Sequence, residues 1–169
     1  KVSELLATFR RFKELYFEQG ILPELRDRFE VQLFNTFCGY LDYKTFYPFS
    51  LKNNTDARGT FVELVKLDHL GGQVSFSTTV PGVTRGNHYH TRKIERFAVI
   101  RGKARIELRR IGTTEKMVFE LDGDHPAFVD MPVWHTHNIT NIGDDELYTV
   151  FWINEFYNPE DPDTFFEEA

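Results

Sequence analysis

The 169-residue chain contains a single cysteine, Cys38, so it cannot close a disulfide within itself. Cys38 falls in an apolar helical stretch with Phe34, Phe37 and Leu41, where a thiol reads as a small core hydrophobe. No apolar run is long enough to cross a bilayer and no basic leader precedes an apolar stretch, so the expectation is a cytoplasmic protein with no membrane partner. Lys and Arg are missing from residues 117–169, which carry 13 acidic residues. All 20 basic residues lie in 1–116 beside the other 13 acids, and the formal net charge is −6. Without a basic run, nucleic acid is not an expected partner. No G-x-G-x-x-G occurs among the 11 glycines, so these residues carry no dinucleotide fingerprint for hydride transfer.

What is present is core-forming material. Hydrophobic residues make up 41% of the chain and aromatics 15%, with 17 Phe, which is too much for disorder and suits one domain with an appendage. The first residue is Lys1 rather than Met, and a helical pattern starts at once, which suggests part of a longer chain.

Two periodicities divide the sequence. Leu5, Phe9, Phe12 and Tyr16 recur at helical spacing, with Ser3 placed as N-cap and Gly20 as the stop. A second helix is expected to open at Pro23 and to carry Leu25, Phe29, Leu33, Phe37 and Leu41. Residues 1–42 therefore read as a helical hairpin, 43–55 as an irregular linker, and 56–169 as a β domain. In the last part the period is two over 60–65, 73–78, 96–100, 104–108, 117–121, 127–130 and 147–152. Turn signals such as Pro81-Gly82, Arg101-Gly102 and Asp122-Gly123 separate these runs. Short strands without intervening helices predict a mainly β fold, a closed barrel or double-sheet jelly roll.

Four of the six histidines sit in two short clusters. His88 and His90 are two residues apart, so on a strand they share a face, and Glu95 follows after a short turn. His135 and His137 lie past a later strand. Imidazole and carboxylate donors together suit Zn²⁺ or another divalent transition metal. His69 and His125 stand alone and read as ordinary polar residues.

The spacing Gly82, His88, His90, Glu95, Gly102 and the set Pro132, His137, Asn141 resemble the two cupin motifs. Trp134 stands where the second motif has glycine, and the glycine that leads that motif is not at its usual distance. The resemblance implies a cupin jelly roll from about residue 56, with His88, His90, Glu95 and His137 as metal ligands. A narrower likeness covers nearly the whole chain. Residues 33–37, 56–63, 86–90 and 152–155, with Asn158-Pro159 and Pro162-Asp163-Thr164, resemble the C-terminal part of bifunctional capsular-polysaccharide synthesis enzymes of the CapF/WbjC type. That likeness implies a zinc-containing cupin that epimerises C3 of a UDP-linked 4-keto-6-deoxy-N-acetylhexosamine, on the route to UDP-N-acetyl-L-fucosamine. It further implies that NADPH belongs to a reductase domain absent from this sequence, of which residues 1–42 would be the last helices.

Epimerisation beside a ketone needs a base, a group to hold the enolate charge, and an acid. Asp56-Ala57-Arg58-Gly59 and Arg85-Gly86-Asn87-His88-Tyr89 also resemble the dTDP-4-keto-sugar epimerases, a metal-free cupin group in which the matching histidine is the base and a tyrosine the acid. The two likenesses give His88 different roles, and the presence of His90 and Glu95 favours ligand. His135 then becomes the base and Tyr89 or Tyr148 the acid, while Arg58, Arg85 and Lys93 are the cations for a pyrophosphate. The alternatives are a cupin dioxygenase, since three His and one Glu also suit Fe(II), and a non-catalytic dimerising or ligand-binding module. The cupin likeness implies a homodimer, since cupins often pair through exchanged edge strands, which removes exposed edges.

Overall fold

The computed structural model describes the backbone of residues 1–169 and every side chain except that of Leu70. Helix α1 (Val2–Phe12) continues through a π-helical turn over Lys13–Glu18, and helix α2 covers Arg28–Gly39. Their stripes pack on each other. Phe12 is fully buried, with ring centroids of Phe34 at 5.1 Å, Phe37 at 5.9 Å and Phe9 at 6.3 Å.

Both expected helix starts shift. Helix α1 begins before Ser3, which therefore lies inside it. Helix α2 begins five residues after Pro23, because Asp27 supplies the N-cap, its side chain accepting from the Glu30 N–H at 2.8 Å. Ahead of it, Ile21–Leu22 form a short strand, β1, beside the β domain. The stretch expected to be irregular holds a helical turn, α3 (Tyr43–Phe46), and strand β2 (Asn53–Asp56).

The β domain continues with β3 (Gly59–Leu67), β4 (Gly72–Thr79), β5 (Thr84–Tyr89), β6 (Glu95–Arg101), β7 (Lys103–Arg110) and β8 (Lys116–Asp122). It closes with β9 (Ala127–Met131), β10 (His135–Asn141), β11 (Leu147–Ile153) and β12 (Phe165–Phe166). One sheet runs β1-β3-β4-β11-β6-β9, with β2 also on β3, and the other runs β12-β5-β10-β7-β8. The pairs are antiparallel except β1 with β3, which is parallel over two residues. This is a double-sheet jelly roll, as the alternating pattern predicts.

The interior divides in two. Toward one end, Val99, Ala104, Ile106, Leu108, Met131, Ile139 and Leu147 form a dry apolar cluster. Along β4 and β11 the inward positions are instead Gln73, Ser75, Ser77, Thr79 and Thr149, all buried. Polar side chains at core positions are costly unless something pairs with them, so the second half of the interior is the place to look for chemistry.

Between the helices, Glu30 is 5% exposed and accepts from Arg26 Nε at 2.8 Å and Arg11 Nη2 at 3.0 Å. The Arg26 guanidinium and backbone N–H, with Arg11 alongside, hold its carboxyl at about 2, against burial that pushes it up. The folded value lies below the ordinary 4.5, so the stabilisation is complete above about pH 4.5 and fades as pH falls toward 2. Urea midpoints taken between about pH 5 and pH 2.5 should therefore fall more steeply for the wild type than for Glu30→Gln.

Candidate metal centre

Strand β5 carries His88 and delivers His90 just past its end, Glu95 opens β6, and His137 lies directly opposite His88 on β10. The second histidine cluster, expected after a strand, is itself the strand. One ligand atom from each of His88, His90, Glu95 and His137 lies within 4.8 Å of the others. Imidazole centroids are 4.7 Å apart for His88 and His137, and 5.0 Å for His88 and His90. His90, Glu95 and His137 are buried.

A bulge aims His88. The β5–β10 register shifts between His137 and Asn138, with Gly86 at φ +103° and Asn87 at φ +60° opposite. A Cβ on Gly86 would stand 2.7 Å from the His137 carbonyl oxygen, so only glycine lets the strands approach here. At the end of β10, Asn141 is fully buried. It donates to the Thr79 and Asp145 carbonyls at 2.8 Å each and accepts from Gly143 N–H at 2.9 Å, a structural staple. Trp134, which replaces the motif glycine, nevertheless holds φ +60°. Its ring stacks on Tyr89 at 5.9 Å.

The protons around Glu95 do not add up without a cation. Glu95 Oε2 stands 3.0 Å from His137 Nε2 and 3.4 Å from His90 Nε2. The opposite nitrogens also face oxygens: His90 Nδ1 meets the Asp163 carbonyl, and His137 Nδ1 lies 3.2 Å from the His135 carbonyl. A neutral imidazole has one proton for two nitrogens. Each ring is therefore one positive charge short, and His90 Nε2 is buried without a hydrogen-bond partner. Two missing charges on two Nε2 atoms facing one carboxylate oxygen match a divalent cation. The Glu95 carboxyl is held well below the carboxylate range, since hydrogen bonding to His137 and His90 outweighs the upward push of its burial. Burial would lower His90, but Glu95 and the Asp163 carbonyl raise it above its ordinary value.

Beside the cluster lies a cavity of about 150 Å³. Phe61, Phe97, Ile139 and Phe151 form its apolar wall, and Ser77, Arg85, His88, Glu95 and Thr149 supply the polar atoms. Among the described residues His88 is the one imidazole that lines it. Burial, followed by the charge of the neighbouring His137, holds His88 down at about 4, so it is neutral at pH 7. Thr149 Oγ1 is buried and unpartnered. Phe61 and Arg85 also line a wider outer cleft with Asn53, Asp56, Arg58 and Tyr157.

The other expected site residues are distributed unevenly. Arg85 reaches both spaces, held by Thr79 Oγ1 and the Thr78 carbonyl at 3.1 Å each, and Arg58 lines the outer cleft, paired with Asp56. Lys93 does not join them. It is 1% exposed, and its Nζ donates to the Pro162 carbonyl at 2.6 Å. Tyr89 lies between His88 and His90, so alternation turns it to the opposite face, where it stacks between Trp134 and Phe165. Tyr148 neighbours the inward Thr149 and is turned out for the same reason, its hydroxyl donating to Glu146 at 3.2 Å. His135 does not line the cavity, which lies on the Ile139 side of His137 along β10. Its Nδ1 is 3.0 Å from the Val133 carbonyl. Sequence reasoning missed Asp163 and Thr149. A lone Asp and a lone Thr carry no spacing signal.

Residues 54–165 match the family described as the polysaccharide biosynthesis C-terminal domain. A UDP-2-acetamido-2,6-beta-L-arabino-hexul-4-ose reductase of Pseudomonas aeruginosa is 41% identical over 79% of this chain and 35% of its own. The crystal structure of the capsular polysaccharide assembling protein CapF from Staphylococcus aureus superposes with a TM-score of 0.84 at 38% identity, over 99% of this chain and 44% of that one. The chain thus spans less than half the length of these relatives. The Drosophila melanogaster CENP-C cupin domain, with a TM-score of 0.52 at 10% identity over 62% of this chain and 70% of that one, shares the fold alone. The jelly roll is a cupin.

The Gly86→Ala variant tests the bulge that aims His88. Its Cβ would meet backbone at 2.7–2.9 Å in a conformation that L residues rarely adopt. A loss of about 1–3 kcal/mol in urea unfolding is expected. Wild-type stability would show that β5 and β10 can part without cost.

Proposed function

The chain belongs to the polysaccharide biosynthesis C-terminal domain family, and from that membership we propose that it is the epimerase part of a UDP-sugar-processing enzyme. It inverts C3 of a UDP-linked 4-keto-6-deoxy-N-acetylhexosamine in capsular polysaccharide synthesis, on the way to UDP-N-acetyl-L-fucosamine. NADPH-dependent reduction belongs to a further domain of the whole enzyme, whose last helices are residues 1–42, and the enzyme works in the cytoplasm as a homodimer. The observation that carries this reading is the pair of missing positive charges at Glu95, at the wall of a cavity that shares Phe61 and Arg85 with the outer cleft lined by Arg58.

His90, Glu95 and His137 would hold a divalent cation, Zn²⁺ by the likeness, and His88 has a donor atom within reach of the same point. A cation bound there would supply Lewis acidity, the chemistry that favours enolate formation beside a ketone. The C3–H bond breaks with its electron pair moving into the enolate, and a ring nitrogen of His88 takes the proton, for which a neutral imidazole is required. A solvent proton added to C3 on the opposite face, with His88 returning its own proton to solvent, completes the inversion with no net proton consumed. Phe61, Phe97 and Phe151 form the wall for the apolar face of the sugar ring and exclude water. The hydroxyls of Ser77 and Thr149 face the ring's polar groups, and Arg85 and Arg58 receive the pyrophosphate.

Deuterium wash-in at C3, measured on the full-length enzyme in D₂O with the 4-keto sugar nucleotide, tests this. His88→Asn should cut exchange by about 10²–10⁴-fold while bound cation is retained. Glu95→Gln should lose both cation and exchange, and His135→Ala should keep both. Loss of cation in His88→Asn would return His88 to the ligand set, and a wild type that exchanges no C3 proton would sink the reading.

A further inference from the structure

We infer that Asp163 is a positioning residue of the cation centre, acting from the C-terminal segment on His90 and on the turn that joins His90 to Glu95. The inference rests on the cation-binding reading above.

Asp163 is 4% exposed and does two things at once. Its backbone carbonyl meets His90 Nδ1, which puts the ring proton on that nitrogen and leaves Nε2 as a lone pair facing Glu95. Its carboxylate clasps the turn. Oδ1 accepts from Thr91 N–H at 3.0 Å and Thr91 Oγ1 at 2.6 Å, and Oδ2 accepts from the N–H groups of Arg92 at 3.0 Å and Lys93 at 3.1 Å. Carbonyl and carboxylate can face the same turn only because the backbone here adopts φ +41°, where non-glycine residues are uncommon.

The segment around Asp163 is tied down on both sides. Before it, Arg92 pairs with Asp161 at 2.8 Å and Glu155 at 3.1 Å, and Lys93 Nζ donates to the Pro162 carbonyl. After it, β12 pairs with Tyr89 and His88 of β5. Glu167 N–H then donates to the Asn87 carbonyl at 3.0 Å, and Thr136, next to His137, donates its hydroxyl to the Glu167 carbonyl. One strap thus touches residues at or beside three of the four candidate donors, His88, His90 and His137. A ligating imidazole holds its orientation through the partner of its other nitrogen, and loss of such a partner costs about 10–100-fold in metal affinity.

Co²⁺ gives affinity and geometry in one titration of the full-length protein, read by chelator competition and by the visible absorption of the bound ion. Asp163→Asn, which sets an amide NH₂ against backbone donors, should bind Co²⁺ about 10–100-fold more weakly with an altered spectrum. Thr91→Val removes one of the clasping bonds without touching the strap and should shift both readouts in the same direction by less. It carries the test if Asp163→Asn does not fold. Glu160→Gln, at an exposed residue of the same segment whose side chain makes none of these contacts, should match the wild type. Wild-type affinity and spectrum in Thr91→Val and in folded Asp163→Asn would overturn the inference while leaving the cation site intact. A wild type that takes up no Co²⁺ would instead overturn the cation reading, and this inference with it.

Discussion

Two buried imidazoles meet one buried carboxylate oxygen, and every nitrogen of both rings faces an oxygen. Neutral histidines cannot satisfy that arrangement, and protonating both would bury two cations beside one anion, which the low dielectric of the interior opposes. The demand for charge at this point orders much of what surrounds it. The Gly86 bulge lets β5 close on β10 so that His88 and His137 face each other. The His135 carbonyl and the Asp163 carbonyl stand behind the rings and set which nitrogen points forward.

The surrounding barrel keeps this polar centre separate from its own apolar core. Val99, Ile106, Leu108 and Leu147 fill one end and contribute the cohesion. The other end is left partly open, with aromatic rings on one wall and hydroxyls on the other. The proposed substrate has the same division, since a sugar ring carries apolar C–H faces and polar rims, and the diphosphate of a sugar nucleotide would meet the guanidinium groups at the outer cleft. The helical hairpin packs its own stripes together through Phe12, Phe34 and Phe37, and holds Glu30 between two arginines.

Much of this was legible in the residues alone. The period of two marked seven strands correctly because apolar residues alternate with polar ones along them, although in β4 the more deeply buried phase is the polar one of Gln73, Ser75 and Ser77. Strands β5 and β10 escaped that reading: they carry His, Asn, Thr and Gly at inward positions, where the pattern expects apolar residues. The His-x-His spacing brought His88 and His90 to one face, and the same alternation places Tyr89 on the other. Trp134 illustrates the limit from the opposite side. Its left-handed backbone follows the motif's glycine although its side chain does not.

The sequence by itself determined the mainly β fold and the four candidate donors, because periodicity and short-range spacing are local properties of a chain. Tertiary structure decided what depends on distant partners. Lys93 and Asp163 are seventy residues apart, and only their meeting turns a candidate phosphate ligand into part of the strap and an acidic tail residue into the support of His90. His135 was excluded from the cavity by which side of His137 the opening falls on, a question that strand pairing settles and composition does not. Burial did the rest, since an imidazole or a threonine hydroxyl acquires a distinct chemical role only when water is no longer there to satisfy it.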